Sequence, residues 1–206
     1  MYAPKLFAVT EREAIHAMIA AHGLSMIAAV DGVRPVIGYA PLVLDPAKDA
    51  LGAVSFHLAK GNRLVDVLVR GGEVVISLLG DNAYVSPDWY ESEGMVPTWN
   101  YVAAELEGRA RVLSDAELRA QLDALSAVHE ARLAPKPPWT TAKVPAGKLD
   151  AMLTMIAGFE VVIERASAKH KLSQNRNAVD HAGVVRGLEA RGDAASLAIA
   201  AWMKAR

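Results

Sequence analysis

The feature that most constrains the fold is a series of strand-length apolar segments with hairpin turns among them, not regularly separated by crossover helices. Residues 24–30 are apolar, Asp31-Gly32 is a hairpin turn pair, and residues 33–44 read as the returning strand. Pro35 stands near the start of that return and Pro41 inside it. A proline cannot donate to a strand ladder, so Pro41 marks an edge, a bulge or a functional kink. Residues 51–58 and 73–79 read as further strands, residues 100–113 as a long alternating one, and residues 159–163 as the last. The strands are not regularly separated by helices, which argues against a doubly wound parallel sheet. The expectation is a mainly β chain with peripheral helices, of the α+β class, built on a barrel.

The helices announce themselves by their caps. Thr10-Glu11-Arg12-Glu13 and Ser114-Asp115-Ala116-Glu117 both have the form of a capping box, in which a hydroxyl and a carboxylate satisfy orphan N–H groups. The first precedes the apolar stripe Ile15, Met18 and Ile19, which Gly23 ends. The second opens a helix to about residue 132, broken by Pro135, Pro137 and Pro138. Leu64, Val65 and Leu68 give residues 61–69 helical spacing, residues 149–156 read as another helix, and residues 179–206 are helical with a break near Gly192.

Composition removes several function classes. The chain has 206 residues, 52% of them hydrophobic, enough for one domain with a sizeable core or one domain plus a helical appendix. A net charge of −1 gives no global signal for nucleic acid. With no cysteine, disulfides, thiolate metal sites and cysteine nucleophiles are excluded. The opening residues lack the apolar run of a signal peptide, and no apolar stretch has the length of about 20 residues needed to span a bilayer. A cytoplasmic protein without membrane association is expected. The six histidines show no metal-binding spacing, so no metal is expected. Dinucleotide fingerprint, P-loop and nucleophile elbow are absent, and no catalytic residue can be assigned.

Aromatic residues are concentrated instead of spread. Ala83-Tyr84-Val85-Ser86-Pro87-Asp88-Trp89-Tyr90 and Val96-Pro97-Thr98-Trp99-Asn100-Tyr101 hold two of the four tryptophans and three of the five tyrosines. Rings beside short polar side chains suit a flat, partly polar ligand, the rings covering its face and hydroxyls and amides fixing its edge. A well-packed barrel corner would show the same composition.

These two segments, with the opening Met1-Tyr2-Ala3-Pro4-Lys5-Leu6-Phe7 and the later Lys171-Leu172-Ser173-Gln174-Asn175, resemble the PaiB family of FMN-binding negative transcriptional regulators. The resemblance implies an FMN-binding split β-barrel, related to pyridoxamine-phosphate oxidases and small flavin reductases. It also implies a homodimer with FMN at the subunit interface, and DNA as a partner. On this reading residues 1–168 form the split-barrel domain with inserted helices. Residues 169–206 form a C-terminal helical extension packed on the barrel or on the dimer partner.

The resemblance also directs attention to particular residues. The segment from Phe56 to Arg63 offers cations and N–H donors where a strand gives way to a helix, as a phosphate dianion requires. Lys60, Asn62 and Arg63 are expected on the phosphate, with His57 near the cofactor. Where the family pattern leads one to expect an arginine before the asparagine-containing turn, this chain has Lys60-Gly61, a point charge in place of a bidentate fork. Tyr39 and Pro41 lie on the strand that runs beside the flavin ring in split-barrel relatives. Ser86, Trp89, Tyr90, Thr98 and Asn100 are candidates to wall the site, and some of them must be core. Lys171 and Gln174 are candidates to close over the cofactor, the glutamine amide matching the donor–acceptor edge of a pyrimidine ring. A small FMN-dependent oxidoreductase is the alternative. A haem-binding split barrel is a third reading, with His57 or His170 as the axial ligand. The C-terminal segment carries a modest excess of basic residues, among them Arg186, Arg191, Lys204 and Arg206, which reads as a solvated or dimer-packed helix more readily than as a DNA-binding one.

Overall fold

The computed structural model describes residues 1–145 and 147–205; Arg206, counted above with the C-terminal cations, lies outside the described residues. The elements in chain order are β1 (Ala8–Val9), α1 (Arg12–Ala21), β2 (Ser25–Asp31), β3 (Arg34–Ala40), β4 (Val43–Asp45), β5 (Ala53–Ala59), α2 (Arg63–Leu68), β6 (Glu73–Val85), β7 (Thr98–Val112), α3 (Asp115–Ala131), α4 (Lys148–Leu153), β8 (Ile156–Val162), β9 (Arg165–Lys171), α5 (Ala178–Arg191) and α6 (Ala194–Lys204). Short 3-10 turns cover Pro87–Trp89 and Thr141–Lys143. The nine strands form one antiparallel path, β3-β2-β6-β7-β8-β5-β4, with β9 on β7 and β1 on β9. The path does not close on itself, because β3 and β4 stand at its two ends.

The chain packs as two compact units. Unit 1 is Met1–Ile15, Leu79–Glu105 and Ser167–Arg206; unit 2 is His16–Leu78 and Leu106–Ala166. This grouping cuts the sequence differently from a boundary at 168/169, since the middle of the chain joins both termini in unit 1.

Unit 2 contains the hairpin read from Asp31-Gly32. Residues Ser25↔Ala40 through Asp31↔Arg34 are paired, and Gly32 takes φ 63°, a conformation glycine adopts without a Cβ penalty. Pro41 is where the returning strand ends. Up to Ala40 the chain pairs with β2, and from Val43 it pairs with β5 in the opposite half of the path. The missing N–H thus sits where the ladder changes partner. β5 pairs with β8 from Ala53↔Val162 to Ala59↔Ile156, bringing Phe56 and Phe159 together at a ring separation of 5.7 Å in the core. Helix α3 opens with the expected box: the Ser114 hydroxyl accepts from the Glu117 N–H and the Glu117 carboxylate accepts from the Ser114 N–H.

Three sequence expectations are corrected. Helix α1 begins at Arg12, and the carboxylate that accepts from the Thr10 N–H is that of Glu11, not Glu13. Residues 149–156 divide between α4, ending at Leu153, and β8, starting at Ile156. The strand ending at Val162 is not the last, because β9 follows it. β9 reads Arg165-Ala-Ser-Ala-Lys-His-Lys171 and lacks the apolar alternation by which strands are found, yet Ala168, Lys169 and His170 are buried.

An ion cluster holds α3 to the sheet of unit 2. Arg111 clasps Glu117 in a two-bond fork of 2.9 and 3.1 Å and also reaches Glu160 at 2.9 Å, which Lys48 approaches at 2.7 Å. The Arg111 bond, then the Ser114 N–H and hydroxyl, hold the Glu117 carboxyl down at about 2 against its ordinary 4.5. A carboxyl depressed on folding stabilises the native state above its unfolded pKa and loses that contribution as pH falls through the folded value. Between pH 4.5 and 2 the melting temperature of the wild type should therefore fall more steeply than that of Glu117→Gln. Parallel curves by circular dichroism would contradict the pairing.

Candidate functional site

The residues singled out in the sequence fall into two groups, one in each unit. In unit 2, β3 alternates strictly: Val36, Gly38 and Ala40 face the core, whereas Ile37 and Tyr39 are 52% and 62% exposed. Gly38 is needed for close approach. A Cβ there would meet Leu64 Cδ2 at 3.0 Å and the Asn62 amide nitrogen at 3.4 Å. The strand carrying Tyr39 is thereby pressed against the turn Lys60-Gly61-Asn62, which follows β5.

That turn is organised by Asn62, whose Oδ1 accepts from the Leu64 N–H at 2.9 Å and caps α2. Helix α2 has six residues, so the dipole expected to favour an anion is short, and side chains must supply most of the charge. Lys60 is exposed and pairs with no carboxylate among the described residues. Arg63 differs from the expectation. With Arg70 it grips Asp31, at 3.1 and 2.9 Å, and these bonds hold the Asp31 carboxyl below its ordinary value, the Arg63 bond contributing most. Arg63 therefore steadies the hairpin turn. His57 is half-buried on β5, its Nδ1 3.0 Å from Gln121 Oε1 of α3. Gln121 is 4% exposed and its Nε2 has no hydrogen-bond partner, a buried donor left open. Pro41, half-buried, follows Tyr39 by two residues and ends the strand. Beyond Lys60 lies a cavity of about 460 Å³ whose lining includes Leu118, Arg119, Asp150, Thr154 and Gly158.

In unit 1 most of the signature is scaffold. Ser86 caps the 3-10 turn, its Oγ accepting from the Asp88 N–H at 3.3 Å. Trp89 lies on α5, where two glycines make room for it. A Cβ on Gly183 would stand 2.1 Å from the Trp89 carbonyl oxygen, and one on Gly187 2.3 Å from the indole Cδ2. Asp180, 1% exposed near the start of α5, accepts from the N–H groups of Glu91 and Ser92 at 2.9 and 3.0 Å. Its carboxyl is held low by the hydrogen bonds of Ser92 first, then those of Glu91 and Asn177. Asn100 is fully buried. Its amide donates to Ser173 Oγ at 3.0 Å and to Met203 Sδ at 3.4 Å, and its Oδ1 accepts from the same serine at 3.2 Å. Ser173 needs this support, having φ 62°, a left-handed conformation unusual for a residue with a Cβ. Gln174 is engaged at both ends of its amide, with the Leu172 N–H at 2.6 Å and the His170 carbonyl at 2.5 Å. The amide expected to read a pyrimidine edge is occupied by its own backbone.

Other members differ in exposure. Trp99 is 53% exposed and meets Tyr84 edge to face at 6.2 Å. Lys171 donates to Thr98 Oγ1 and, at 2.8 Å, to the Trp99 carbonyl. Tyr90 is buried beneath the Arg176 guanidinium, 4.9 Å from its ring centre, and its hydroxyl has no hydrogen-bond partner. His170, the haem-ligand candidate, is buried with its ring 5.0 Å from that of Trp202.

Sequence reasoning missed Gln121, Asp180, the pair Gly183 and Gly187, and Lys169. The glycines, four apart in a helix otherwise rich in larger residues, carry a signal: that spacing puts both on one helix face, where a bulky partner can seat. Lys169 and Lys171 would stand on one face of any strand drawn through them. Gly183→Ala should lower stability by about 1–3 kcal/mol through overpacking against a backbone oxygen, outweighing the gain of about 1 kcal/mol that alanine brings to a helix interior. A thermal melt in which this variant is more stable than the wild type would contradict the Trp89 seat.

Comparison with known proteins places these features in context. A family model described as "Putative FMN-binding domain" matches residues 1–165. Protease synthase and sporulation protein PAI 2 of Bacillus subtilis is 31% identical over 189 residues, covering 92% of this chain and 89% of that protein. An uncharacterised protein of Emericella nidulans is 28% identical over 200 residues, 81% of this chain and 80% of its own. Among solved structures, the FAD and heme binding protein from Mycobacterium smegmatis superposes with a TM-score of 0.60 at 19% identity, over 90% of this chain and 80% of its own. The flavocytochrome Anf3 from Azotobacter vinelandii gives 0.56 at 19% identity, over 85% and 74%. At these identities the structural likeness establishes the fold alone, the split barrel with peripheral helices.

Proposed function

Because the chain belongs to the FMN-binding family that includes the PaiB-type protein of Bacillus, we propose that it is a flavin-binding homodimer that holds the FMN phosphate at the Lys60–Asn62 turn of unit 2 and acts as a regulator of transcription. One observation carries the site. Gly38 presses β3 onto Asn62, so the strand that carries the exposed ring of Tyr39 packs against the turn that carries an uncompensated lysine.

The chemistry of this surface fits the cofactor. Lys60 supplies a mobile ammonium for a dianion, and the Asn62 amide nitrogen supplies a neutral donor beside it. Tyr39 and the chain leading to Pro41 offer a ring and backbone groups to a flat heterocycle. His57, oriented by Gln121, brings a polar group from β5. Bound FMN would supply one- and two-electron chemistry; the chain's share is to bind, orient and shield it.

The outward side of the same sheet supports the dimer. Ile37 and Tyr39 of β3 and Val75 of β6 are exposed, with Met26 and Ala28 of β2 between them in register. An apolar sheet face of this kind is what an isologous contact covers. The regulator role rests on the likeness to the Bacillus protein. The C-terminal helices offer few cations to DNA, since Arg186, Arg191 and Lys204 are paired with Glu91, Asp193 and Glu189. Duplex DNA binding that weakens with salt is the readout for that role. No helix of the described residues is long and apolar enough to cross a membrane, which accords with a cytoplasmic location.

Lys60→Gln should raise the Kd for FMN about tenfold while leaving riboflavin affinity unchanged, the loss of one charge-assisted contact to the phosphate. Quenching of flavin fluorescence reads both constants, and sedimentation of the same samples reads the dimer. Equal weakening of both ligands, or of neither, would move the phosphate away from this turn.

A further inference from the structure

Charged side chains that lose water are normally paired, and three cations of unit 1 that are half-buried or deeper depart from that rule. The N-terminal ammonium of Met1 pairs with Glu105, and Arg186, Arg191 and Lys204 each have a carboxylate partner. Lys169, Lys171 and Arg176 have none among the described residues. Lys169 is 8% exposed; its ammonium lies 5.3 Å from the ring centre of Tyr101 and 5.9 Å from those of Tyr2 and Phe7. Its one hydrogen bond is a long one of 3.4 Å to the Tyr2 carbonyl. Lys171, two residues on along β9, is half-buried and donates only to Thr98 Oγ1 and the Trp99 carbonyl. Arg176 is half-buried too, with Met95 Sδ at 3.1 Å and the Tyr90 ring as its partners, a weak acceptor and a π-face. Glu105 is already taken by Met1.

We propose that Lys169, Lys171 and Arg176 form an oxyanion-binding site within unit 1 that takes the phosphate or carboxylate group of a small molecule other than the flavin. The site is built from fixed parts. Lys171 is held by the first residues of β7, Lys169 by rings from β7 and the N-terminal segment, and Arg176 by Tyr90. The turn between Lys171 and Arg176 is locked by Asn100 on the left-handed Ser173. Rings and neutral carbonyls steady these cations without neutralising them, leaving their charge available to a ligand. Burial, then the charges of Lys169 and Arg176, lower the Lys171 pKa below its ordinary value, and an anion seated among them would relieve that repulsion. Arg176 can offer two parallel N–H groups to an oxyanion and the lysines point charges, the combination suited to a phosphate monoester or a carboxylate. This inference does not depend on where the flavin phosphate sits.

The test uses the full chain saturated with FMN, inorganic phosphate as the probe, and sodium chloride of equal ionic strength as the control. Calorimetric titration should show saturable phosphate binding, about tenfold weaker in Lys171→Met and in Arg176→Gln and unchanged in Lys60→Gln. A melt in low-salt buffer guards against a folding defect. Lys171→Met should melt higher than the wild type without phosphate, because a repelled ammonium is gone, and should gain less than the wild type when the same phosphate concentration is added. Three outcomes would overturn the proposal. One is phosphate binding unaltered in both variants. Another is no binding beyond the chloride control. The third is phosphate affinity in the flavin-free protein that vanishes as FMN is added, which would make the cluster the seat of the flavin phosphate itself.

Discussion

The two-residue alternation of β7 is the constraint from which the rest of the structure follows. From Trp99 to Arg111 every second side chain turns inward: Asn100, Val102, Ala104, Leu106, Gly108 and Ala110 are buried. The first three belong to unit 1 and the last three to unit 2, so one strand sets the inner face of both. Its outward residues are anchors. Glu105 receives the N-terminal ammonium, Glu107 pairs with Arg165, Arg109 with Glu73, and Arg111 with Glu117 and Glu160. A shift of one residue would exchange the two faces, burying the four charges of Glu105, Glu107, Arg109 and Arg111 and exposing the apolar row. Gly108 fixes the register further, since a Cβ there would stand 2.2 Å from the Val162 carbonyl oxygen.

This arrangement explains why charge is so unevenly compensated. Most of the ion pairs lie on the surface, where each contributes little alone and screening weakens it further. They matter as a pattern, because in unit 1 they engage Glu91, Glu105, Glu189 and Asp193 with cations other than Lys169, Lys171 and Arg176. Lys60 in unit 2 and Lys169, Lys171 and Arg176 in unit 1 stand outside that pattern. A chain with no net excess of positive charge can still present concentrated positive potential, provided its acids are engaged elsewhere.

Much of the fold was legible in the sequence, for identifiable reasons. The hairpin at Asp31-Gly32, the kink at Pro41 and the box at Ser114 are local devices whose chemistry acts within a few residues, and each stands where the sequence put it. β9 was invisible because Lys169 and His170, on its two faces, are buried, and that burial depends on rings far away in the chain. The sequence displayed the candidate residues more readily than their neighbours. The strand bearing Tyr39 packs against the Lys60–Asn62 turn, but Arg63 serves Asp31, and no spacing rule could reveal that distant carboxylate. In the aromatic signature the sequence displayed a cluster and not its division of labour. Trp89 and Asn100 are scaffold because Gly183, Gly187 and Ser173 receive them, while Trp99 faces solvent on the same short stretch.

The central claim is that this split barrel carries FMN, and the visible absorbance spectrum tests it most directly. The protein is purified, mixed with excess FMN and desalted. The account predicts a retained oxidised-flavin spectrum at close to stoichiometric occupancy, with bands shifted from those of free FMN by the surrounding rings. A colourless protein after desalting, at every FMN concentration tried, would contradict it and would return Lys60, Asn62 and Tyr39 to an ordinary surface turn and an exposed ring.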